Sequence, residues 1–142
     1  MKNLMFCSVL ACVALTIAPF AGSAEDGKKD AKVKPRMMVH DVFFTLKDDS
    51  PEAKQELVAG CKKYLSDQPG TLAMAAGSRV EELDREVNDQ AFDVALHIVF
   101  KDKAAHDAYQ KAEKHKKFIE EFKGNWKSVR VFDSWLDVVK GD

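Results

Sequence analysis

The stretch Phe92-Asp93-Val94-Ala95-Leu96-His97-Ile98-Val99-Phe100 decides the fold. Phe92, Val94, Leu96, Ile98 and Phe100 alternate with Asp93, Ala95, His97 and Val99, the period of two that a pleated strand imposes. Downstream, Asp102 can cap a segment of helical character from Lys103 to Phe122. Its apolar residues fall in two groups, Ala105, Ala108 and Tyr109, then Phe118, Ile119 and Phe122. The two stripes do not align on one continuous helix, so a break is predicted near Lys111 to Lys114. Past Gly124-Asn125, the run Val129 to Leu136 reads as a last strand.

Upstream, Glu81 to Gln90 is polar and acidic and reads as a connecting loop. Thr71 to Val80, built on Leu72-Ala73-Met74-Ala75-Ala76-Gly77, reads as a strand of small residues. Before it, Ser50-Pro51-Glu52 is a helix start: a capping hydroxyl, a proline suited to the first position, and an acid that complements the dipole. Ala53, Leu57, Cys61, Tyr64 and Leu65 then recur at helical spacing until Gln68-Pro69-Gly70 ends the run. The first strand is Met37 to Leu46, with Met38, His40, Val42, Phe44 and Leu46 on one face and Val39 and Phe43 on the other.

The order strand, helix, strand, strand, helix, strand predicts a ferredoxin-like βαββαβ domain of the α+β class, a four-stranded antiparallel sheet with both helices on one face. Several strands carry apolar residues on both sides, so the bare face needs a cover. Two sheets packed face to face would supply one, and a homodimer enclosing a pocket between protomers is expected.

The amino terminus has a different character. Met1-Lys2-Asn3 precedes an apolar stretch from Leu4 to Phe20, small residues Ala21-Gly22-Ser23-Ala24, and a charge-dense Glu25-Asp26-Gly27-Lys28-Lys29-Asp30. This reads as a signal peptide over residues 1–24, with export to a periplasmic or extracellular location. A retained anchor would need a longer span without Pro19, and lipid attachment at Cys12 would need a better residue than Leu10 before it. Residues 25–36 read as a flexible charged leader, and residues 37–139 as the domain. No membrane contact is expected once the signal is removed.

The whole chain carries 22 basic and 23 acidic residues, a net charge of −1, which offers no electrostatic footprint for nucleic acid. Cys7 and Cys12 fall in the signal, leaving Cys61 alone, so no intrachain disulfide is expected. At helical spacing, Cys61 reads as a small buried apolar residue, since nothing adjacent in sequence would lower its pKa.

Four histidines remain to be placed. His40 shares its strand face with Val42, Phe44 and Leu46, a position that suits either a buried, backbone-bonded imidazole or a pocket wall able to orient a ligand. His97 lies on the minority face of its strand and reads as structural or partly solvated; His106 lies near a helix start and reads as exposed. Tyr109 and His115 flank the predicted helix break, which could turn both inward as orienting acid and base for proton abstraction next to a carbonyl. The histidines lack close ligand spacing and the cysteine is remote, so no metal site is expected. There is no glycine-rich phosphate loop and no Gly-x-Ser-x-Gly nucleophile elbow, and no cofactor is expected.

Taken together, these pieces resemble the stress-responsive A/B barrel domain family, Dabb. The matching segments are His40-Asp41-Val42-Phe43-Phe44-Thr45-Leu46-Lys47, Gly77, Phe92-Asp93-Val94-Ala95-Leu96 to Phe100, Ala108-Tyr109-Gln110, His115-Lys116-Lys117-Phe118 and Val131-Phe132-Asp133. The resemblance covers residues 37–137 and implies a dimeric α+β barrel with a cavity in each protomer, without implying one activity. Plant polyketide cyclases sharing the domain use a Tyr and a His that match Tyr109 and His115, and a further cavity His that matches His40. Here Gln110-Lys111-Ala112-Glu113-Lys114 replaces a His-Pro style of turn between them. Two functions are therefore expected to compete. One is a binding protein for a small apolar or aromatic ligand held near His40, Val42, Phe44, Tyr109 and His115. The other is a cyclase-like enzyme working through Tyr109, His115 and His40. A haem- or quinol-handling monooxygenase is a third, which no additional ligand residue favours.

Overall fold

A computed structural model describes residues 36–137 of the chain. The expected signal over residues 1–24 and the leader up to residue 35 lie outside the described residues, as do residues 138–142. The elements are β1 (Met37–Leu46), α1 (Pro51–Leu65), β2 (Thr71–Ser78), β3 (Val94–Phe100), α2 (Lys103–Lys111), α3 (Glu113–Phe122), a 3-10 turn (Lys123–Asn125) and β4 (Trp126–Leu136). The strands form one sheet in the order β2-β3-β1-β4, and every adjacent pair is antiparallel. This is the expected ferredoxin-like arrangement, with the second helix divided in two.

Alternation in β1 sets the two faces. Met38, His40, Val42, Phe44 and Leu46 are all buried. Val42, Phe44 and Leu46 form one core cluster with Leu96, Ile98 and Phe100 of β3, Leu57, Cys61 and Leu65 of α1, Tyr109 of α2 and Phe118 of α3. The core thus lies between the sheet and one layer of helices. Cys61 is fully buried in it, and burial pushes its thiol up to about 12, which fits the apolar role expected from its spacing.

Local chemistry places the boundaries. The Ser50 hydroxyl accepts from the Ala53 amide at 3.3 Å, capping α1. After α1, Gly70 takes φ +85°, and a Cβ there would lie 2.5 Å from that of Ala105, so the turn needs glycine twice over. The helix break sits at Ala112, whose extended backbone (φ −65°, ψ 139°) ends α2 and starts α3. Its amide donates to the Tyr109 carbonyl at 3.0 Å while its own carbonyl accepts from Lys116 at 3.1 Å.

Three boundaries differ from the sequence reading. β2 stops at Ser78 rather than Val80, and β3 starts at Val94 rather than Phe92. Asp93 is the cause: its carboxylate accepts from the buried Leu46 amide at 2.8 Å, and its carbonyl accepts from the Arg79 amide at 2.9 Å. A residue tied through its side chain to one neighbouring segment and through its carbonyl to the other leaves the regular strand pattern. β4 begins at Trp126, earlier than Val129, because the 3-10 turn delivers the chain directly to the sheet edge.

On the far face of the sheet, Phe43 packs edge-on against Phe92, Phe132 and His97, with ring centroids 5.0, 5.7 and 6.0 Å away. Phe132 is 52% exposed. His97 is partly solvated, as expected, and its Nδ1 lies 2.7 Å from the Asp41 carboxylate. Among the described residues no helix is long and apolar enough to cross a membrane.

Candidate functional site

Between β1 and β4 on one side and α2 and α3 on the other lies a pocket of about 250 Å³. Its walls are Val42, Phe44, Leu96, Phe118, Ile119, Trp126, Val129 and Val131, and its polar groups are His40, Tyr109, Gln110, His115 and Asp133. All five residues expected to meet a ligand, His40, Val42, Phe44, Tyr109 and His115, line this one space. It lies within a protomer, between sheet and helices, because the buried face of β1 carries His40. It answers to the cavity in each protomer that the family resemblance implied.

A second groove of about 610 Å³ runs between α1 and the end of β2. Three of its charges already have partners: Lys54 lies 3.2 Å from Glu81, and Arg79 donates to the Phe92 carbonyl at 3.0 Å and to Gln90. The smaller pocket holds the convergent titratable groups and is the better site.

His40 is 4% exposed, and its Nδ1 lies 2.7 Å from Asp133 Oδ1 across the β1–β4 register. A carboxylate accepts, so this ring nitrogen donates. The imidazole is also flanked by Tyr109, with ring centroids 5.9 Å apart. His40 is thus a buried pocket-wall residue, and its bond runs to a side-chain carboxylate rather than to the backbone as expected.

Tyr109 is 2% exposed, and burial raises its pKa, so it stays a neutral phenol. Its hydroxyl has no hydrogen-bond partner among the described residues. The ring of His115 sits 4.5 Å from that of Tyr109, centroid to centroid. The extended Ala112 turns α3 so that His115 faces inward despite the Gln110-to-Lys114 sequence. Burial lowers the His115 pKa, the charges of His40 and His106 act in the same direction, and a bond to the Gln110 carbonyl opposes them. That carbonyl accepts from Nδ1 at 3.3 Å, which leaves Nε2 with the lone pair. A neutral base thus stands beside a neutral phenolic acid in a largely apolar space, an arrangement suited to polarising a carbonyl or moving a proton next to one.

His106 overturns its sequence reading. Its side chain is only 13% exposed, and its ring lies 5.2 Å from that of His40 and 5.5 Å from that of Phe100. The short β3–α2 connection folds the first turn of α2 back over Phe100. Its spacing gave the signal: His106 and Tyr109 are three apart on a helix and share a face. Asp133, which sequence matching used only as a strand residue, is the other group missed. A ligand atom each from His40, His106 and Asp133 lie within 4.8 Å of one another. The metal expectation rested on sequence spacing, and the fold removes that ground by joining residues from β1, α2 and β4.

Residues 38–136 match the family model described as Stress responsive A/B Barrel Domain. A search of curated proteins found no match. Among solved structures, the chain is similar to a Dabb family protein with a ferredoxin-like fold from Mesorhizobium loti, at 21% identity and TM-score 0.59, covering 75% of this chain and 99% of that one. It is similar to a dimeric ferredoxin-like protein of unknown function from Thermobifida fusca, at 15% identity and TM-score 0.60, covering 72% and 93%. A hydroxynitrile lyase from Passiflora edulis is a third, at 18% identity and TM-score 0.60, covering 75% and 99%. The chain belongs to the stress-responsive A/B barrel domain family.

Proposed function

We propose that this is an exported, homodimeric binding protein for a small aromatic or apolar carbonyl compound. The observation that carries the binding is the pocket: apolar walls with His40, Tyr109 and His115 converging on one space. At about 250 Å³ it falls below the roughly 300–1,000 Å³ of drug-sized sites, which suits a single ring with a short substituent. Titration with acetophenone tests this through the fluorescence of Trp126 in the pocket wall. Saturable quenching that weakens in His115→Ala is expected, and a non-saturable response identical in both proteins would overturn it.

Export rests on the charged start, apolar stretch and small residues of 1–24, and the secreted protein beginning at Glu25 is its test. The dimer is supported by the exposed aromatic face around Phe43 and Phe132 and by the dimeric description of the Thermobifida fusca neighbour.

A second reading, acid–base catalysis next to a carbonyl, is favoured by the free His115 Nε2 beside Tyr109. His115 would take a proton from the carbon adjacent to the carbonyl while the phenol hydrogen-bonds the developing enolate oxygen; returning the proton completes the cycle. In heavy water that cycle exchanges the methyl protons of acetophenone for deuterium, which proton magnetic resonance follows. Exchange lost in both His115→Ala and Tyr109→Phe is expected of an enzyme, and exchange at the buffer rate leaves the binding role alone.

A further inference from the structure

We infer that His40, His106 and Asp133 form a site for one divalent transition-metal ion of the zinc, cobalt or nickel type, at the edge of the pocket. The three residues sit on β1, α2 and β4, so the arrangement is held by the fold rather than by one flexible loop. Asp133 Oδ1 lies 2.7 Å from His40 Nδ1 and 4.0 Å from His106 Nε2. Ligands held at 2.0–2.1 Å on a tetrahedral ion stand about 3.3 Å apart, between those two separations. Asp133 is on an edge strand with its side chain 42% exposed, so it can rotate to even them out.

The surroundings of His106 support the same assignment. Its Nδ1 lies 3.5 Å from the Asp107 carboxylate, and the Gln110 amide nitrogen is 3.1 Å from its Nε2. Asp107 accepts the Nδ1 proton, which leaves the Nε2 lone pair turned toward Asp133. A carboxylate that fixes the tautomer from behind is the usual companion of a ligating histidine. In front, that lone pair accepts from the Gln110 amide at 3.1 Å while Asp133 Oδ1 accepts from His40, and an entering cation would take the place of both bonds. Two imidazoles and one carboxylate favour borderline transition metals over magnesium or calcium. The ion would take the place of the proton on His40 Nδ1, which moves to Nε2 so that the ring binds as a neutral imidazole. His40 and Asp133 also line the pocket, so an open coordination position would face whatever occupies it.

Calorimetry with zinc chloride tests the site on the untagged secreted protein, stripped with EDTA. Repeating it in two buffers of different ionisation heat counts the protons released. One ion per protomer with little net proton release is expected, as is visible cobalt absorption of a low-coordinate nitrogen–oxygen site. His106→Gln and Asp133→Asn should each weaken zinc by at least about tenfold with unchanged circular dichroism. His97→Ala, on the opposite sheet face, should leave the affinity unaltered. Absence of saturable one-to-one binding, or binding that survives both site variants, overturns the inference. Acetophenone titration in EDTA reports on the pocket separately, so either idea can fail alone.

Discussion

Tyr109→Phe separates the pocket's chemistry from its packing. The substitution removes one oxygen and keeps the ring that stacks near Phe100 and His115, at centroid distances of 5.2 and 4.5 Å. Because the hydroxyl has no partner among the described residues, the folded state loses little, about 0.5 kcal/mol at most. For a domain of this size that corresponds to about 2–4 °C in Tm. A carbonyl ligand would lose one hydrogen bond of about 0.5–1.5 kcal/mol, about two- to twelvefold in Kd. Trp126 fluorescence during titration with acetophenone and with ethylbenzene gives the comparison, since the two probes share shape and differ in the carbonyl. Weaker acetophenone binding with unchanged ethylbenzene binding is expected. A large fall in Tm with no change in ligand preference would refute the reasoning and make the hydroxyl a structural group.

Three other outcomes follow from the same coordinates. Burial holds the His115 imidazole below its ordinary value of 6.5, so the unfolded chain takes up a proton first as the solution is acidified. Its contribution is constant above about pH 6.5, and stability should decline as the pH falls below that until the folded-state pKa is passed; His115→Gln should flatten this part of a urea-melt series. Asp93→Ala leaves the buried Leu46 amide without an acceptor and should cost about 1–3 kcal/mol, whereas Asp93→Asn keeps an accepting oxygen and should cost less; equal losses in denaturant melts would count against the clamp. Phe132→Asp puts a charge on the exposed aromatic face and should convert the dimer to a monomer by light scattering at micromolar concentration, and a wild-type monomer would remove the proposed interface.

How much of this was readable beforehand depends on whether the signal was local. Alternation in Met37–Leu46, the Ser50-Pro51 cap and the clash of two helical stripes near Ala112 are set by neighbours in sequence, and each matches the structure. The ends of β2 and β3 were not readable, because Asp93 acts through bonds to Leu46 and Arg79, which sequence spacing does not reveal. His40, Tyr109 and His115 could be selected because each is an unusual group on an apolar face or beside a break.

Asp133 and His106 mark the limit of such reasoning. Asp133 reaches the pocket only because β4 pairs with β1 and sets it opposite His40, and an edge-strand register is a property of the folded sheet. His106 is different, since once Tyr109 is taken as inward its neighbour three residues earlier must share that face. Its place near a helix start favoured an exposed reading, but a helix start is exposed only when nothing packs over it, and Phe100 ends its strand directly beneath. An imidazole near a helix N-terminus therefore merits an inward reading whenever the preceding strand ends in a buried aromatic and an inward residue lies one turn ahead. The other helical histidine, His115, follows a helix rather than a strand and meets only the second condition, with buried Phe118 three residues ahead.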